Sequence, residues 1–181
     1  MSVSIKRLTH ESEGDFARIH CDATGNGWCQ CVGWWVPSWE GFGERTAAEN
    51  LALRQRLFSN GVHDGYFVYS GEEIAGWVQA WKRDAFAKLA AQFSVTSDDD
   101  AWMIGCMLIL PAFRAQGVAR DALALVVDDL RLRGARSIDA FPKRGAIDAG
   151  ELWNGPESTY AALGFAVVHD DAKRPLLRLS L

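Results

Sequence analysis

A chain of 181 residues, 49% hydrophobic and 23% charged, carries enough apolar side chain for one core of useful size and no bias toward a disordered or fibrous class. Its formal net charge of −4 gives no reason to expect a nucleic-acid partner, because neutralising phosphates takes a basic face. Residues 1–9 lack the apolar run of a signal peptide, and no later stretch is long enough to cross a bilayer. These features set the expectation of one cytoplasmic domain over residues 1–181, with no membrane partner. The four cysteines, Cys21, Cys29, Cys31 and Cys106, are then expected to be mostly reduced.

Residues 3–8 alternate apolar and polar side chains, the period of a strand, with Val3, Ile5 and Arg7 on one face. A short helix follows over 13–21, where Phe16, Ile19 and His20 recur at helical spacing. Residues 24–43, rich in glycine and tryptophan, read as loop. Residues 46–59 read as an amphipathic helix with Leu51, Leu53, Leu57 and Phe58 on its apolar face. Thr46 and Glu49 form a capping box there, and Asn60-Gly61 is a stop. Strands are expected over 66–69 and 74–81, joined as a hairpin through Ser70-Gly71-Glu72-Glu73. A short helix over 85–93 and a polar break at Asp98-Asp99-Asp100 come next. The long apolar run 101–110 predicts a strand covered on both faces, ended by Pro111.

A strong helix over 117–133 follows, with Leu123, Val126, Val127 and Leu130 on one side and Gly134 at its stop. A strand over 137–141, a short helix over 157–163 with Gly164 at its end, and strands over 165–169 and 176–181 complete the order. The pattern predicts an α/β (α+β) fold with a mixed sheet and helices on its faces. Residues 101–141 form a βαβ unit, so their two strands are expected to run parallel.

The most informative stretch is Leu108-Ile109-Leu110-Pro111-Ala112-Phe113-Arg114-Ala115-Gln116-Gly117-Val118-Ala119-Arg120. A buried strand stops at proline, a short turn of small residues follows, and a helix opens. The first amides of a helix lack internal partners and sit at the positive end of its dipole, which suits a diphosphate. Small side chains at Ala115, Gly117 and Ala119 let phosphate oxygens approach the backbone, and Arg114 and Arg120 can add charge-assisted contacts. The same residues also fit an ordinary strand-to-helix turn packed with small side chains, and the spacing alone leaves both readings open.

Arg114-x-x-Gly117-x-Ala119 after a buried strand resembles the acyl-CoA loop of the GNAT superfamily of acyl-CoA N-acetyltransferases. Tyr160-Ala161-Ala162-Leu163-Gly164-Phe165 resembles that superfamily's Tyr-x-x-x-Gly-Phe element, and the order of elements along the whole chain agrees. The chain departs from the pattern at Ala115 and Ala119, where glycine is commoner. The resemblance implies a mixed, largely antiparallel sheet with a V-shaped opening between two parallel strands. It implies acetyl-CoA as co-substrate, with the main chain of Leu108, Ile109 and Leu110 pairing with pantetheine. It assigns the diphosphate to the amides of Ala115, Gln116, Gly117, Val118, Ala119 and Arg120. An amide at Ile109 is the expected oxyanion donor, and Tyr160 the group that hydrogen-bonds the leaving sulfur or gives it a proton, with a packing tyrosine at a helix end as the other reading. The expected activity is transfer of an acetyl group to the primary amine of a small molecule by direct attack in a ternary complex. A non-catalytic acyl-CoA-binding module and an acetyltransferase for protein or peptide amines remain as alternatives. A homodimer is a further expectation from the resemblance.

A general base is not singled out; Glu40, Glu44, Asp84, Asp139 and His20 are candidates, as is a held water. Cys21, Cys29 and Cys31 with His20 have poor spacing for structural zinc, so no metal is expected, and the cysteines read as small buried apolar groups. The resemblance places Trp28, Trp34, Trp35 and Trp39 at the acceptor pocket, where they stack on a planar acceptor or hold a cation. Anchoring a long loop to the core is the other reading. Trp153 and Asn154 are candidates for the pocket's opposite side.

Overall fold

The computed structural model describes residues 2–25, 27–86, 88, 98–145 and 153–181. Seven strands are present: β1 (Val3–Arg7), β2 (Gly65–Ser70), β3 (Glu73–Lys82), β4 (Ala101–Ile109), β5 (Ser137–Ala140), β6 (Ala166–His169) and β7 (Leu176–Ser180). They form one sheet in the order β1-β2-β3-β4-β5-β7-β6. Every neighbouring pair is antiparallel except β4 and β5, which are parallel. Among the described residues four α-helices accompany the sheet: α1 (Glu13–Thr24), α2 (Ala47–Ser59), α3 (Val118–Leu132) and α4 (Glu157–Ala161). The expected elements recur with ends shifted by one to three residues. The helix expected over 85–93 falls mostly outside the described residues; its first residue closes a 3-10 turn, Arg83–Ala85.

The sheet separates two apolar layers. Val118, Ala122, Leu123, Val126, Val127 and Leu130 of α3 bury against Val68, Val78, Ile104, Met107 and Ile138. On the other side Phe16 and Ile19 of α1 pack with Leu8, Cys31, Phe67, Trp77 and Cys106. A third cluster, Trp34, Phe86, Met103, Phe141 and Leu176, sits where the strands of the parallel pair end and begin to separate. The helical spacing of Phe16, Ile19 and His20 is realised as burial of all three. No helix among the described residues is long and apolar enough to cross a membrane.

The helix α2 departs from its pattern. Its capping box is present, with Thr46 Oγ1 accepting from the Glu49 amide at 3.2 Å. Its buried residues, however, are Asn50 and Arg54, whereas Leu51 is exposed. Asn50 donates to the Trp28 carbonyl (2.8 Å) and accepts from Arg45 Nε (2.6 Å). Arg54 lies over the Phe16 ring at 4.8 Å and pairs with Glu13 at 3.4 Å. Hydrogen bonding and cation–π contact thus decide which face turns inward, against the apolar stripe.

The paired part of β5 is held by a buried ion cluster. Asp139, fully buried, accepts from Arg178 Nε and Nη2 (2.7 and 2.8 Å) and from Arg83 Nη1 (3.1 Å). Removing the carboxylate leaves two guanidinium groups without their shared partner. Asp139→Ala is therefore expected to cost about 3–5 kcal/mol, read as a lower urea midpoint; an unchanged midpoint would show that the cluster contributes nothing.

Candidate functional site

Two local irregularities in β4 create an opening. Gln79 faces Cys106 but Ala80 faces Ile104, so Gly105 is an extra residue that bends the strand, as a bulge does. Pairing with β5 stops at Ile104↔Ala140. Residues 105–109 therefore have β3 on one side and, among the described residues, no strand on the other. The Leu110 amide donates to the Ala75 carbonyl at 2.9 Å, and Leu108 and Ile109 face Trp77 and Gly76. Antiparallel ladders alternate, so the main-chain groups of Leu108 and Leu110 point toward β3, whereas those of Met107 and Ile109 point into the opening. Leu110 thus has no free amide to offer a ligand.

The loop after β4 tightens as a 3-10 turn, Pro111–Phe113. Phe113 and Arg114 donate back to Leu110 and Pro111 at 2.9 and 3.3 Å. Ala115 and Gly117 then adopt left-handed backbone, φ +58° and +81°, and the first helical bond is Asp121 N–H to Gly117 O at 3.1 Å. None of the amides of residues 115–120 has a protein acceptor among the described residues. Left-handed residues in such a turn aim successive amides at one point, a concavity suited to an anion. The positive φ at Ala115, on the order of 1 kcal/mol for a side-chain-bearing residue, gives a physical reason for glycine being commoner there. Arg114 braces the loop by donating from Nε to the Ile109 carbonyl at 2.8 Å. Gln116 does the same to Ala112 (2.8 Å). Arg120 is exposed and pairs with Asp121 at 3.0 Å.

Tyr160 lies on α4, in the same core cluster as Met107. It is fully buried, packs edge-on against Phe165 at 5.3 Å, and its hydroxyl has no hydrogen-bond partner among the described residues. Burial, with the nearby Cys106 thiol adding to it, pushes its pKa up, so it stays a neutral phenol and a donor. A Cβ placed on Gly155 would lie 2.2 Å from Met107 Cε and 3.7 Å from the Tyr160 ring, which sets Tyr160 beside Met107. Met107, whose amide the strand alternation turns into the opening, is a residue that the sequence motif did not single out. The bulge at Gly105 was its one legible signal.

The four tryptophans expected at a pocket, Trp28, Trp34, Trp35 and Trp39, divide. Trp34, 4% exposed, donates from Nε1 to the Gly105 carbonyl at 2.9 Å and packs against Phe141 at 5.5 Å, just past the end of β5. It wedges the opening at its inner end. Trp28 donates to the Arg45 carbonyl (2.5 Å) and packs on Phe42. Trp35 lies against Phe86 and His63. These two anchor the loop. Trp153 faces Trp39 at 6.5 Å, and Asn154 holds the Phe141 carbonyl at 2.8 Å.

Of the five candidate bases, Asp139 is committed to its arginines, and Glu40, Glu44 and Asp84 are exposed. His20 is sealed in. The Phe16 carbonyl, 2.9 Å away, can only accept, so Nδ1 carries the proton and Nε2 accepts from the Cys31 thiol at 3.0 Å. Burial lowers the His20 pKa to about 4 and that of His63 to about 3. The Cys31 thiol is raised by its contact with Cys106 and by burial; burial raises Cys29 to about 11. Such thiols stay protonated at neutral pH and make poor nucleophiles or metal ligands. Among the described residues no group of three or more His, Cys, Asp or Glu is placed to hold a metal ion.

Comparison with known proteins agrees with this geometry. The sequence model of the acetyltransferase (GNAT) family matches residues 28–149. No curated protein matches the chain by sequence. Among solved structures, aminoglycoside acetyltransferase AAC(6')-Ib in complex with coenzyme A is similar at TM-score 0.65 and 15% identity, over 99% of this chain and 95% of that one. An acetyltransferase from Thermus thermophilus is similar at TM-score 0.63 and 15% identity, over 100% and 98%. The PaiA N-acetyltransferase of Thermoplasma acidophilum, in complex with coenzyme A, follows at 0.57 and 14%, over the full length of both. At these identities the likeness establishes the fold.

The buried imidazoles make stability depend on pH. The folded state keeps both histidines neutral, whereas the unfolded chain binds protons below about 6.5, the ordinary value. Their contribution is complete above that pH and lost as pH falls toward 4, on the order of 1 kcal/mol per pH unit for each. Urea midpoints are expected to fall between pH 7 and pH 5, a window in which ordinary carboxylates do not titrate. A flat profile there would mean that both rings are solvated.

Proposed function

Because this chain belongs to the GNAT acetyltransferase family, we propose that it moves an acetyl group from acetyl-CoA to the primary amine of a small molecule, by direct attack with both substrates bound. The observation that carries the reading is continuous: a strand edge that turns the Met107 main chain and the Ile109 amide toward the opening runs into a loop of six amides, residues 115–120, without a protein acceptor among the described residues. Those amides and the α3 dipole hold the diphosphate, and the Arg114 and Arg120 guanidinium groups add charge. The exposed edge accepts the pantetheine arm as an added strand.

The thioester then lies between Met107 and Tyr160. The Met107 amide donates to the carbonyl oxygen as it gains charge; one such donor supplies about 3 kcal/mol. The Tyr160 hydroxyl, buried and without another partner among the described residues, gives its proton to the departing sulfur. Ile109 stands two residues further along the edge, where it serves the arm, so the oxyanion role passes from Ile109 to Met107. Holding the amine beside the thioester supplies much of the acceleration, consistent with the lack of a committed carboxylate or imidazole base among the described residues of the opening. The tryptophan-walled inner end supports a small acceptor over a protein chain lying across the sheet.

Thiol release from acetyl-CoA against a panel of amines tests the activity. Gly117→Glu puts a carboxylate at the diphosphate site and is expected to weaken acetyl-CoA binding at least about a hundredfold, or about 3 kcal/mol; equal binding by both proteins would remove this site. Tyr160→Phe is expected to lower kcat about ten- to a hundredfold with little change in acetyl-CoA affinity, since thiolate already leaves fairly well. Unchanged turnover would take Tyr160 out of the mechanism.

A further inference from the structure

Lys88 is a lysine in an unusual place. It is 7% exposed, and its ammonium lies 3.7 Å from the centre of the Trp39 ring and 5.7 Å from that of Phe42. It donates to the Gly33 carbonyl at 2.6 Å. No carboxylate among the described residues pairs with it, and its pKa is lowered by burial alone. Buried ammonium groups without a counter-ion are rare because desolvation is not recovered. Here ring faces and one carbonyl take the place of an anion, which is how proteins recognise ammonium ligands.

The surroundings are shaped for that job. A Cβ on Gly33 would lie 3.0 Å from Trp39 and 3.4 Å from Phe42, so the absent side chain lets both rings close on the carbonyl that receives the ammonium. Trp39 is 42% exposed and gives the box a route to solvent. Trp39 also meets Trp34, ring centroids 5.3 Å apart. Trp34 in turn holds the Gly105 carbonyl, two residues from Met107. The box and the opening in the sheet therefore share a wall.

We propose that the box of Trp39, Phe42 and the Gly33 carbonyl is the acceptor subsite, that it selects primary alkylammonium compounds with an unbranched stem, and that Lys88 occupies it as a built-in stand-in. This rests on the acetyl-transfer reading above. An incoming acceptor displaces the Lys88 ammonium and takes over its carbonyl bond and ring faces.

Binding separates this proposal from catalysis. Tryptophan emission is followed as n-butylamine is added at neutral pH, where it is a cation, with n-butanol as the uncharged control and no acetyl-CoA present. Lys88→Met keeps the apolar stem and removes the internal competitor, and it is expected to bind n-butylammonium at least about tenfold more tightly than the wild type. Trp39→Leu, at a partly exposed position, is expected to weaken binding about five- to thirtyfold in the Lys88→Met background and to raise the acceptor KM in the wild-type background. Equal n-butylammonium affinity for wild type and Lys88→Met, or n-butanol binding as well as the cation, would overturn the proposal. Should Lys88→Met fail to fold, an unchanged acceptor KM in Trp39→Leu alone overturns it. Acetyl-CoA titration of the same proteins reports on the transfer reading: loss of that binding with the box intact rejects the reading, whereas thiol release with an indifferent box rejects only the subsite.

Discussion

The parting of β4 from β5 after Ile104 is the constraint on which the rest of the site depends. A strand in the middle of a sheet normally has both edges hydrogen-bonded, and leaving amides of a buried strand unpaired costs free energy comparable to a lost hydrogen bond for each group. The fold accepts that cost at the Met107 main chain and the Ile109 amide, while Trp34 and Arg114 satisfy the Gly105 and Ile109 carbonyls. A ligand with amide groups of its own, laid along that edge, recovers it. The opening is thus a vacancy in a hydrogen-bond ladder, and its chemistry follows from which main-chain groups the alternation turns outward.

Two features keep the strands apart at one end and together at the other. Trp34 satisfies the Gly105 carbonyl and fills the space toward Phe141, so the gap does not close by simple zipping. Asp139 and its two arginines fix β5 where it does pair. The loop that follows β4 adds a third element: a left-handed residue at Ala115, another at Gly117, and a helix whose opening amides are free. Backbone in the left-handed region, a run of amides without a protein acceptor among the described residues and a partly open strand edge then lie in one continuous stretch of chain. The aromatic loop of residues 28–42 roofs the far end of it.

Much of this was legible in the sequence. The buried run, Pro111, the small residues and the amphipathic helix after them point to the strand–turn–helix unit and its parallel partner, because hydrophobic period and turn chemistry are local properties. The glycine within the apolar run even marks the bulge. Other features depend on contacts between distant residues and leave no local trace. The helix α2 hides Asn50 and Arg54 because Trp28, Arg45, Glu13 and Phe16 supply their partners, and no period in residues 46–59 reveals that. The proposal of Met107 in place of Ile109 rests on the strand register and on Tyr160 sharing a core cluster with Met107, which no local pattern reveals. The insertion of β7 between β5 and β6 is likewise a matter of chain tracing. Lys88 reads as one more surface charge until Trp39 is placed over it.

The central claim is that specific main-chain amides face the ligand, and amide resonances of the isotopically labelled protein read it directly as acetyl-CoA is added. The account predicts large shifts at Met107 and Ile109 and across residues 115–120, with Leu108 and Leu110, whose amides are bonded to β3, moving far less. Shifts of equal size at all four strand positions, or none at residues 115–120 while acetyl-CoA demonstrably binds elsewhere, would contradict it.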